Sequence, residues 1–231
     1  MKDLYMVFDS EVCNCPKIDG QLDTKNGQVY DFGFQVVDKQ GFVYDERSII
    51  NEDVFFGMPQ AMQEAYFADK IPQYLEGMRM GKHQIMNTWQ LYKMVREMTE
   101  EYNIKAFIAH NARFDIAVLN STLRYQTKSA RRWFFPYGVP IWDTMKMAND
   151  TICKQKSYIE FCKENGYMTN HPVPQVRKTA EVLWRYLTGD NAFVEEHTGL
   201  SDVTIEAQIF AECVRQHKKM DKLAELEEGD M

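Results

Sequence analysis

Short apolar runs in this chain end in acidic residues, and longer segments carry apolar residues at helical spacing. Residues 4–8 form an apolar run that stops at Asp9, a pattern typical of a buried central strand. The turn signal Asn26-Gly27 precedes segments 29–38 and 42–50, which predict two further strands. The first part of the chain therefore predicts a β-meander with acids at the tip of its first strand.

A helical pattern follows over residues 59–102. Its clearest stripe recurs at three- and four-residue spacing: Leu91, Met94, Val95 and Met98. Stripes of this kind are far more often core than cofactor site, so we interpret these residues as core.

The second half of the chain predicts two more strands with helices between them. Segment 106–109 is a short buried strand, and the apolar segment 139–142 is a last strand that ends at Asp143. Helical material over 144–186 is broken near Gly166 and by two prolines.

A final helix is predicted over 201–217, with Ser201 as its N-cap. This order of elements predicts an α/β fold with a mixed five-stranded sheet flanked by helices, plus a helical insertion at 52–102. We expect a single domain over 1–231 with a short acidic tail at about 224–231.

Composition narrows the class of protein. The 231 residues are 45% hydrophobic and 13% aromatic, which suits one compact domain that needs no disulfide bonds or structural metal. The five cysteines are scattered and odd in number, so reduced intracellular thiols are the simplest account. The N-terminal apolar stretch is too short for a signal peptide, and no run reaches transmembrane length. We therefore expect a soluble, cytoplasmic protein without a membrane partner.

The candidate chemistry lies in five residues from three separated places: Asp9, Glu11, Asp115, His197 and Asp202. Asp9 and Glu11 point to the same face if they lie on a strand, because strand side chains alternate. Taken alone, each residue has an ordinary explanation, as a loop acid, a helix cap, or a surface or core histidine. Together, four carboxylates and one imidazole suit a phosphodiesterase that uses two divalent cations.

His197 and Asp202 combine two different mobility requirements. The turn at 198–200 lets His197 lie on a mobile loop, which suits a group that takes a proton from water. Asp202 is fixed in the first turn of the last helix, which suits a metal ligand. The formal net charge of −7 argues against a basic protein that coats nucleic acid without regard to sequence. It does not argue against a nuclease, because carboxylates that bind divalent cations present positive charge to a phosphate.

These motifs resemble the DnaQ-like 3′–5′ exonucleases, in the branch named DEDDh for four acids and a histidine. The matching stretches are Phe8-Asp9-Ser10-Glu11, His110-Asn111-Ala112-Arg113-Phe114-Asp115 and His197-Thr198-Gly199-Leu200-Ser201-Asp202. Residues 141–144 resemble the strand between the second and third motifs. The motifs stand in family order and span nearly the whole chain.

The resemblance implies a ribonuclease H-like fold and two cations, Mg²⁺ or Mn²⁺. By position, the ligands would be Asp9, Glu11, Asp115 and Asp202, with Asp9 the bridge, and His197 would be the general base. The resemblance also implies a hydrogen bond from Asn111 near the site, with Phe8 and Phe114 packed behind the ligands.

The chain departs from the family in several places. Residues 12–16 replace the usual Thr-Thr-Gly turn, so contacts to the terminal base do not carry over. Asp143 is expected one strand away from the ligands. Glu206, one turn after Asp202, is expected behind the ligands or at the surface.

Substrate contacts outside the motifs are expected from Arg131 and Arg132. They lie in a stretch without acids at 124–133, and aromatic residues follow them, an arrangement that commonly holds single strands. The alternative is a solvated basic loop beside core aromatics.

The leading hypothesis is a 3′–5′ exonuclease that hydrolyses single-stranded DNA to nucleoside monophosphates. The near alternative is an exoribonuclease acting on RNA 3′ ends, because discrimination depends on contacts to the 2′-hydroxyl. A different class is a non-catalytic module that binds a polymerase or another replication protein, and a proofreading subunit would combine both.

Overall fold

The protein is described by a computed structural model that covers residues 2–18 and 21–225. Its strands are β1 (Leu4–Cys13), β2 (Lys17–Ile18), β3 (Gln21–Leu22), β4 (Gln28–Val37), β5 (Val43–Asn51), β6 (Gln84–Met86), β7 (Ile104–Ala109) and β8 (Ile141–Asp143). Its α-helices are α1 (Glu52–Phe55), α2 (Pro59–Gln63), α3 (Ile71–Arg79), α4 (Thr88–Glu101), α5 (Ala112–Thr127), α6 (Thr144–Asp150), α7 (Lys156–Glu164), α8 (Ala180–Thr188) and α9 (Gly199–Arg215). The expected acidic tail lies outside the described residues beyond position 225.

One mixed sheet of six strands organises the fold, in the order β6-β5-β4-β1-β7-β8. Strands β1, β4 and β5 pair antiparallel, as the predicted meander requires, whereas β7 and β8 add parallel to the β1 edge. The predicted mixed α/β sheet is confirmed. It has one strand more than predicted, because β6 lies within the segment that helical spacing had assigned to the insertion. Three residues on a sheet edge carry no local pattern strong enough to reveal a strand.

β1 is longer than its apolar run. The sequence predicts that the strand ends at Asp9, but the structure continues it to Cys13. The added residues still pair with β4: Ser10 lies opposite Phe32 and Glu11 opposite Asp31, and the register shifts only after Glu11. The acid pair therefore lies inside a strand rather than at its tip, which fixes the direction of both side chains.

The two faces of the sheet hold separate cores. Met6 and Phe8 of β1 pack in the cluster with α4 and α5. Tyr5 and Val7, which alternate with them, pack in the cluster with α6 to α9. Asp9 and Glu11 continue the second set, so β1 directs them toward the face covered by α9.

The stripe predicted as core on α4 is buried, as expected: Leu91, Met94, Val95 and Met98. Helical material after β8 divides into α6, α7 and α8, with the longest break at 165–179 around the predicted breakers. The last helix begins at Gly199 with Thr198 as its N-cap, so the prediction of Ser201 as N-cap is wrong. Ser201 instead lies inside the first turn and donates to the Thr198 carbonyl at 2.9 Å.

The insertion after β5 builds a third apolar cluster against the sheet. Val54, Phe55, Met62 and Tyr74 from the insertion pack on Tyr30 and Ile50. In the part of the chain that the structure describes, no helix has the length and apolarity to cross a membrane.

Candidate active site

The acidic residues of β1 and α9 face a common pocket. Its lining includes Asp9, Glu11, His197, Asp202 and Glu206. Three possible ligand atoms lie within 4.8 Å of one another, one each from Glu11, His197 and Asp202. The sequence-predicted residues of the first and third motifs are therefore brought together.

A pair of glycines allows this approach. Gly33 of β4 lies opposite Asp9, and a Cβ at Gly33 would come within 2.1 Å of the Gly199 carbonyl carbon. A Cβ at Gly199 would lie 2.6 Å from the Gly33 amide nitrogen. Because neither residue has a side chain, the first turn of α9 rests directly on β4 and places Asp202 beside the β1 acids.

The second motif forms the start of α5. Asn111 has φ 64° and ψ 45°, a left-handed conformation that Asn tolerates better than most residues, and its side chain makes no capping hydrogen bond. Asn111 lines the pocket, and its backbone amide donates to Asp143 Oδ1 at 3.1 Å. Asp115 follows in the first helical turn and is 2% exposed. Among the described residues, its Oδ1 finds no hydrogen-bond partner.

The carboxyl groups share one electrostatic pattern. Burial raises the pKa of Glu11 to about 9, of Asp115 to about 8 and of Asp202 to about 7, with neighbouring carboxylates adding to the effect at Glu11. Burial and the nearby Asp115 raise the pKa of Asp9 well above its usual range. Crowded, buried carboxylates resist ionisation until a cation joins them.

This donor set fits divalent cations. Carboxylate oxygens are the hard ligands that Mg²⁺ and Mn²⁺ prefer, and the unpartnered Asp115 Oδ1 is a buried oxygen with capacity to spare. Asp9, Glu11, Asp115 and Asp202 are the residues that would hold such ions, as the resemblance implies.

The His197 loop is held by contacts from the insertion, whereas the sequence predicts a mobile loop. The imidazole stacks on Phe67, with ring centroids 4.7 Å apart and planes inclined by 18°. Lys70 Nζ donates to the carbonyls of His197, at 3.1 Å, and of Glu196. Burial, then the Lys70 charge, lower the pKa of His197, so the ring is neutral at pH 7 and can accept a proton.

Glu195 is a site residue that the sequence reasoning missed. It lines the pocket, and its Oε2 lies 3.9 Å from His197 Nδ1, close to the 3.8 Å between Asp202 Oδ2 and the same nitrogen. Burial, then the Asp202 charge, raise the pKa of Glu195 to about 7. Its position two residues before the candidate base was the one available sequence signal.

Asp31 was also missed. It is fully buried on β4, and its Oδ2 accepts from Tyr74 Oη at 2.8 Å and from the Gly199 amide at 2.9 Å. Asp31 thus caps the start of α9 from a neighbouring strand.

Glu206 is buried rather than at the surface. Its Oε2 accepts from the His110 amide at 3.2 Å, and burial followed by the Asp115 charge raises its pKa well above the usual range. Asp143, at the end of β8, caps α6 by accepting from the Met145 amide at 2.8 Å, and its charge contributes to the raised pKa of Asp115.

The structure does not bring Arg131 and Arg132 to the pocket. They follow the end of α5, about 18 Å along the helix from Asp115 at 1.5 Å per residue. The Arg132 guanidinium lies 4.9 Å from the Trp89 ring centroid. Phe134 and Phe135, which follow, are core residues, as the alternative interpretation of this segment expects.

No protein-family model and no curated protein matches the chain. Solved structures do match. A full-length 3′-exonuclease superposes with a TM-score of 0.63 at 11% identity, covering 99% of this chain and 89% of that one. The nuclease domain of 3′hExo, a DEDDh family member bound to rAMP, gives a TM-score of 0.58 at 13% identity, over 96% of this chain and 98% of that one.

A third structure, of a 3′-exonuclease in 3′-end specific recognition of a histone mRNA stem-loop, gives a TM-score of 0.58 at 12% identity over 95% of this chain and 84% of that one. At these identities the likeness concerns the path of the backbone. These comparisons therefore show the fold: a mixed sheet flanked by helices, the α/β architecture of the solved 3′-exonuclease structures.

Proposed function

We propose that this protein is a metal-dependent 3′–5′ exonuclease that hydrolyses single-stranded DNA to nucleoside monophosphates. One observation carries the proposal: the pocket gathers Glu11, Asp202 and His197 within 4.8 Å beside Asp9. Structural acids alone rarely gather at such density around a neutral imidazole, because each buried carboxylate costs free energy.

Asp9, Glu11, Asp115 and Asp202 would hold two divalent cations, either Mg²⁺ or Mn²⁺. When bound, the cations polarise the scissile phosphate, orient the attacking water and offset charge on the departing 3′ oxygen. The rigid strand β1 and the first turns of α5 and α9 fix the carboxylates, so little reorganisation accompanies binding.

His197 removes a proton from the attacking water at a ring nitrogen. Its lowered pKa keeps that nitrogen free at neutral pH. Glu195 and Asp202, each within 4 Å of His197 Nδ1, stabilise the imidazolium that forms. Asn111, which lines the pocket and whose side chain makes no capping hydrogen bond, hydrogen-bonds the substrate.

Arg131 and Arg132 act on the strand farther from the cut. Arg132 and Lys93 lie over Trp89, whose ring stacks on Tyr92 with centroids 4.9 Å apart. Cations beside stacked aromatic rings suit a single strand leaving the pocket.

The test is shortening of a single-stranded DNA oligonucleotide labelled at its 5′ end, with Mg²⁺ or Mn²⁺ and with chelator. We expect a ladder of shorter labelled products only with the metal, and a loss of about 10²–10⁴-fold in His197→Ala. His217→Ala is the matched control, since His217 has a left-handed backbone like His197 and lies outside the pocket. A label that stays at full length with wild-type protein would refute the proposal.

An exoribonuclease is the second candidate. Of the structures that superpose, one concerns recognition of a histone mRNA stem-loop and another holds the ribonucleotide rAMP. DNA and RNA of one sequence, digested side by side, decide between the substrates: faster RNA cleavage would replace the first candidate.

Association with a polymerase or another replication protein is a separate part of the proposal. It predicts co-purification of such a protein with the tagged chain. A catalytically silent binding module is the competing class, and turnover that depends on His197 excludes it.

A further inference from the structure

Three residues of the insertion face the loop of the candidate base. Phe67, Lys70 and Tyr74 follow one another at spacings of three and four, so they share one side of the helical segment that leads into α3. All three contact residues 195–199 or the residue that caps them, and we call 195–199 the base loop. We propose that this side of the insertion is a clamp that positions His197 for proton transfer, with Phe67, Lys70 and Tyr74 as positioning residues.

The first contact fixes the ring. Phe67 stacks on the imidazole at 4.7 Å and leaves its other side to the pocket that both residues line. His197 has φ 50°, a backbone conformation that costs free energy and persists only where neighbouring contacts hold it. A stacking partner supplies such a contact, because it favours one ring orientation over the others.

The second contact fixes the backbone. Lys70 Nζ donates to the His197 carbonyl at 3.1 Å and also to the Glu196 carbonyl. Two consecutive carbonyls on one ammonium group define the path of the chain on the N-terminal side of α9. Hydrogen bonds from a charged donor are stronger than neutral ones, so this contact suits an otherwise irregular loop.

The third contact fixes the start of α9. Tyr74 Oη donates to Asp31 Oδ2, and the same oxygen accepts from the Gly199 amide. The N-cap residue Thr198 makes no capping hydrogen bond with its own side chain. Asp31, oriented by Tyr74, supplies the cap instead and so links the insertion to the helix that carries Asp202.

The clamp acts on the rate of the chemical step more than on substrate affinity. A base held in a productive orientation saves reorganisation at each turnover, and a small misplacement costs up to about 100-fold. This inference rests on the proposed function, since it assigns the clamp to the base of that reaction.

The central experiment is a double-mutant cycle between Phe67→Leu and His197→Ala. We expect Phe67→Leu alone to lower kcat about 10- to 100-fold with KM nearly unchanged. In the His197→Ala background it should cause no further loss, because its effect passes through the imidazole. Phe67→Tyr, which keeps a stacking ring, should stay close to wild type.

Phe56→Leu is the matched control, because Phe56 belongs to the same insertion, is half exposed and packs on Phe55 instead. It should leave kcat unchanged. An equal loss from Phe67→Leu with and without His197 would overturn the inference, since Phe67 would then act on substrate directly. An unchanged kcat in Phe67→Leu would overturn it too.

A second measurement does not depend on turnover. Hydrogen exchange of the base-loop amides, the Gly199 amide included, should become faster in Phe67→Leu and in Lys70→Met, but not in Phe56→Leu. Unchanged exchange would overturn the clamp. If the wild-type chain cuts no nucleic acid, the proposed function fails while this measurement still decides whether the insertion restrains the loop.

Discussion

Glu11 on β1 lies directly opposite Asp31 on β4 in the antiparallel register. Both side chains are buried, and the Asp31 charge contributes to the raised pKa of Glu11. Burial raises the pKa of Asp31 as well. The two acids therefore extend the carboxylate cluster from the candidate cation ligands toward the cap of α9, and the fold holds protons there that the unfolded chain would release.

This relationship sets the pH dependence of stability in the metal-free protein. Unfolded carboxyl groups titrate near pH 4, whereas burial raises the pKa of Asp202 to about 7, of Asp115 to about 8 and of Glu11 to about 9. The folded chain binds more protons across this window, so its stability is greatest near the low end and falls as pH rises through it. Thermal unfolding with chelator, from pH 5 to pH 9, should show a falling Tm.

Two controls sharpen this measurement. Saturating Mg²⁺ or Mn²⁺ at pH 8 should restore the Tm, because the cations bind the ionised folded state. Asp31→Asn should make the fall of Tm with pH less steep, since it removes one titrating group from the cluster. A Tm that stays level or rises with pH in the metal-free protein contradicts the expected cluster.

Asp115→Asn should separate activity from stability. The substitution removes a buried ionisable oxygen pair whose Oδ1 has no partner among the described residues, so the metal-free protein should unfold at the same temperature or higher at pH 8. Activity should fall about 10²–10³-fold, since the charge that holds a cation is lost.

Calorimetric titration with Mn²⁺ measures cation binding directly, so it separates loss of a ligand from a change in stability. Asp115→Asn should bind fewer ions, or bind them more weakly, than wild type. Asp38→Asn is the matched control, because Asp38 is an equally buried acid that follows β4 and pairs with Lys2 instead. Wild-type ion binding in Asp115→Asn would exclude Asp115 as a ligand.

The sequence could predict what depends on local periodicity. Strand alternation placed Asp9 and Glu11 on one face, and the confirmed sheet directs that face toward α9. The helical stripe of α4 likewise follows from spacing alone. These features need only a few consecutive residues, which is the range over which the pattern of side chains determines secondary structure.

The remainder depends on contacts between distant parts of the chain. Asp31 caps Gly199 across 168 positions, and Lys70 reaches the His197 carbonyl across 127. Strand β6 forms because β5 offers an edge, and Glu195 enters the site because the base loop turns inward. No local pattern reports such pairings, so the sequence left the insertion without a role and the loop without its restraints.

Glu181→Gln should shift the pH profile of the reaction. The charge of the Glu181 carboxylate raises the pKa of His197, against the lowering by burial and by Lys70. Removing that charge lowers the pKa of His197 further, so the acid limb of kcat/KM should move down by up to about 0.5 pH unit. Rates from pH 5 to pH 9 at saturating metal measure the shift.

Glu164→Gln serves as the control for that profile, since Glu164 is exposed on α7. It should leave the acid limb in place. An acid limb that moves upward in Glu181→Gln, or does not move, would mean that Glu181 has no electrostatic effect on the base.

The double variant Arg131→Ala/Arg132→Ala should weaken strand binding without affecting the chemical step. We expect a higher KM for long oligonucleotides, an unchanged kcat, and a salt dependence of binding reduced by about 0.7 per lost phosphate contact. Dinucleotides should be cut normally, because they do not reach from the pocket to the end of α5.

Arg79→Ala is the comparison for this variant, because Arg79 is an exposed cation already paired with Glu76. Its salt dependence should match that of wild type. If both variants bind long strands alike, the basic segment at 124–133 is the solvated loop of the alternative interpretation.

Gly33→Ala tests whether the contact between β4 and α9 determines the site. The added Cβ would lie 2.1 Å from the Gly199 carbonyl carbon and 2.3 Å from the Leu200 amide nitrogen. Both are backbone atoms, so the clash cannot be relieved by rotating a side chain. The first turn of α9 must move outward and carry Asp202 with it. We expect both a lower Tm and a loss of the Tm increase that Mn²⁺ gives to wild type.

Gly138→Ala is the control, because a Cβ at Gly138 has open space around it. At φ 85° the substitution should lower stability by only about 1–2 kcal/mol and keep the Mn²⁺ response. A full Mn²⁺ response in Gly33→Ala would show that Asp202 can hold a cation without close contact between the two glycines.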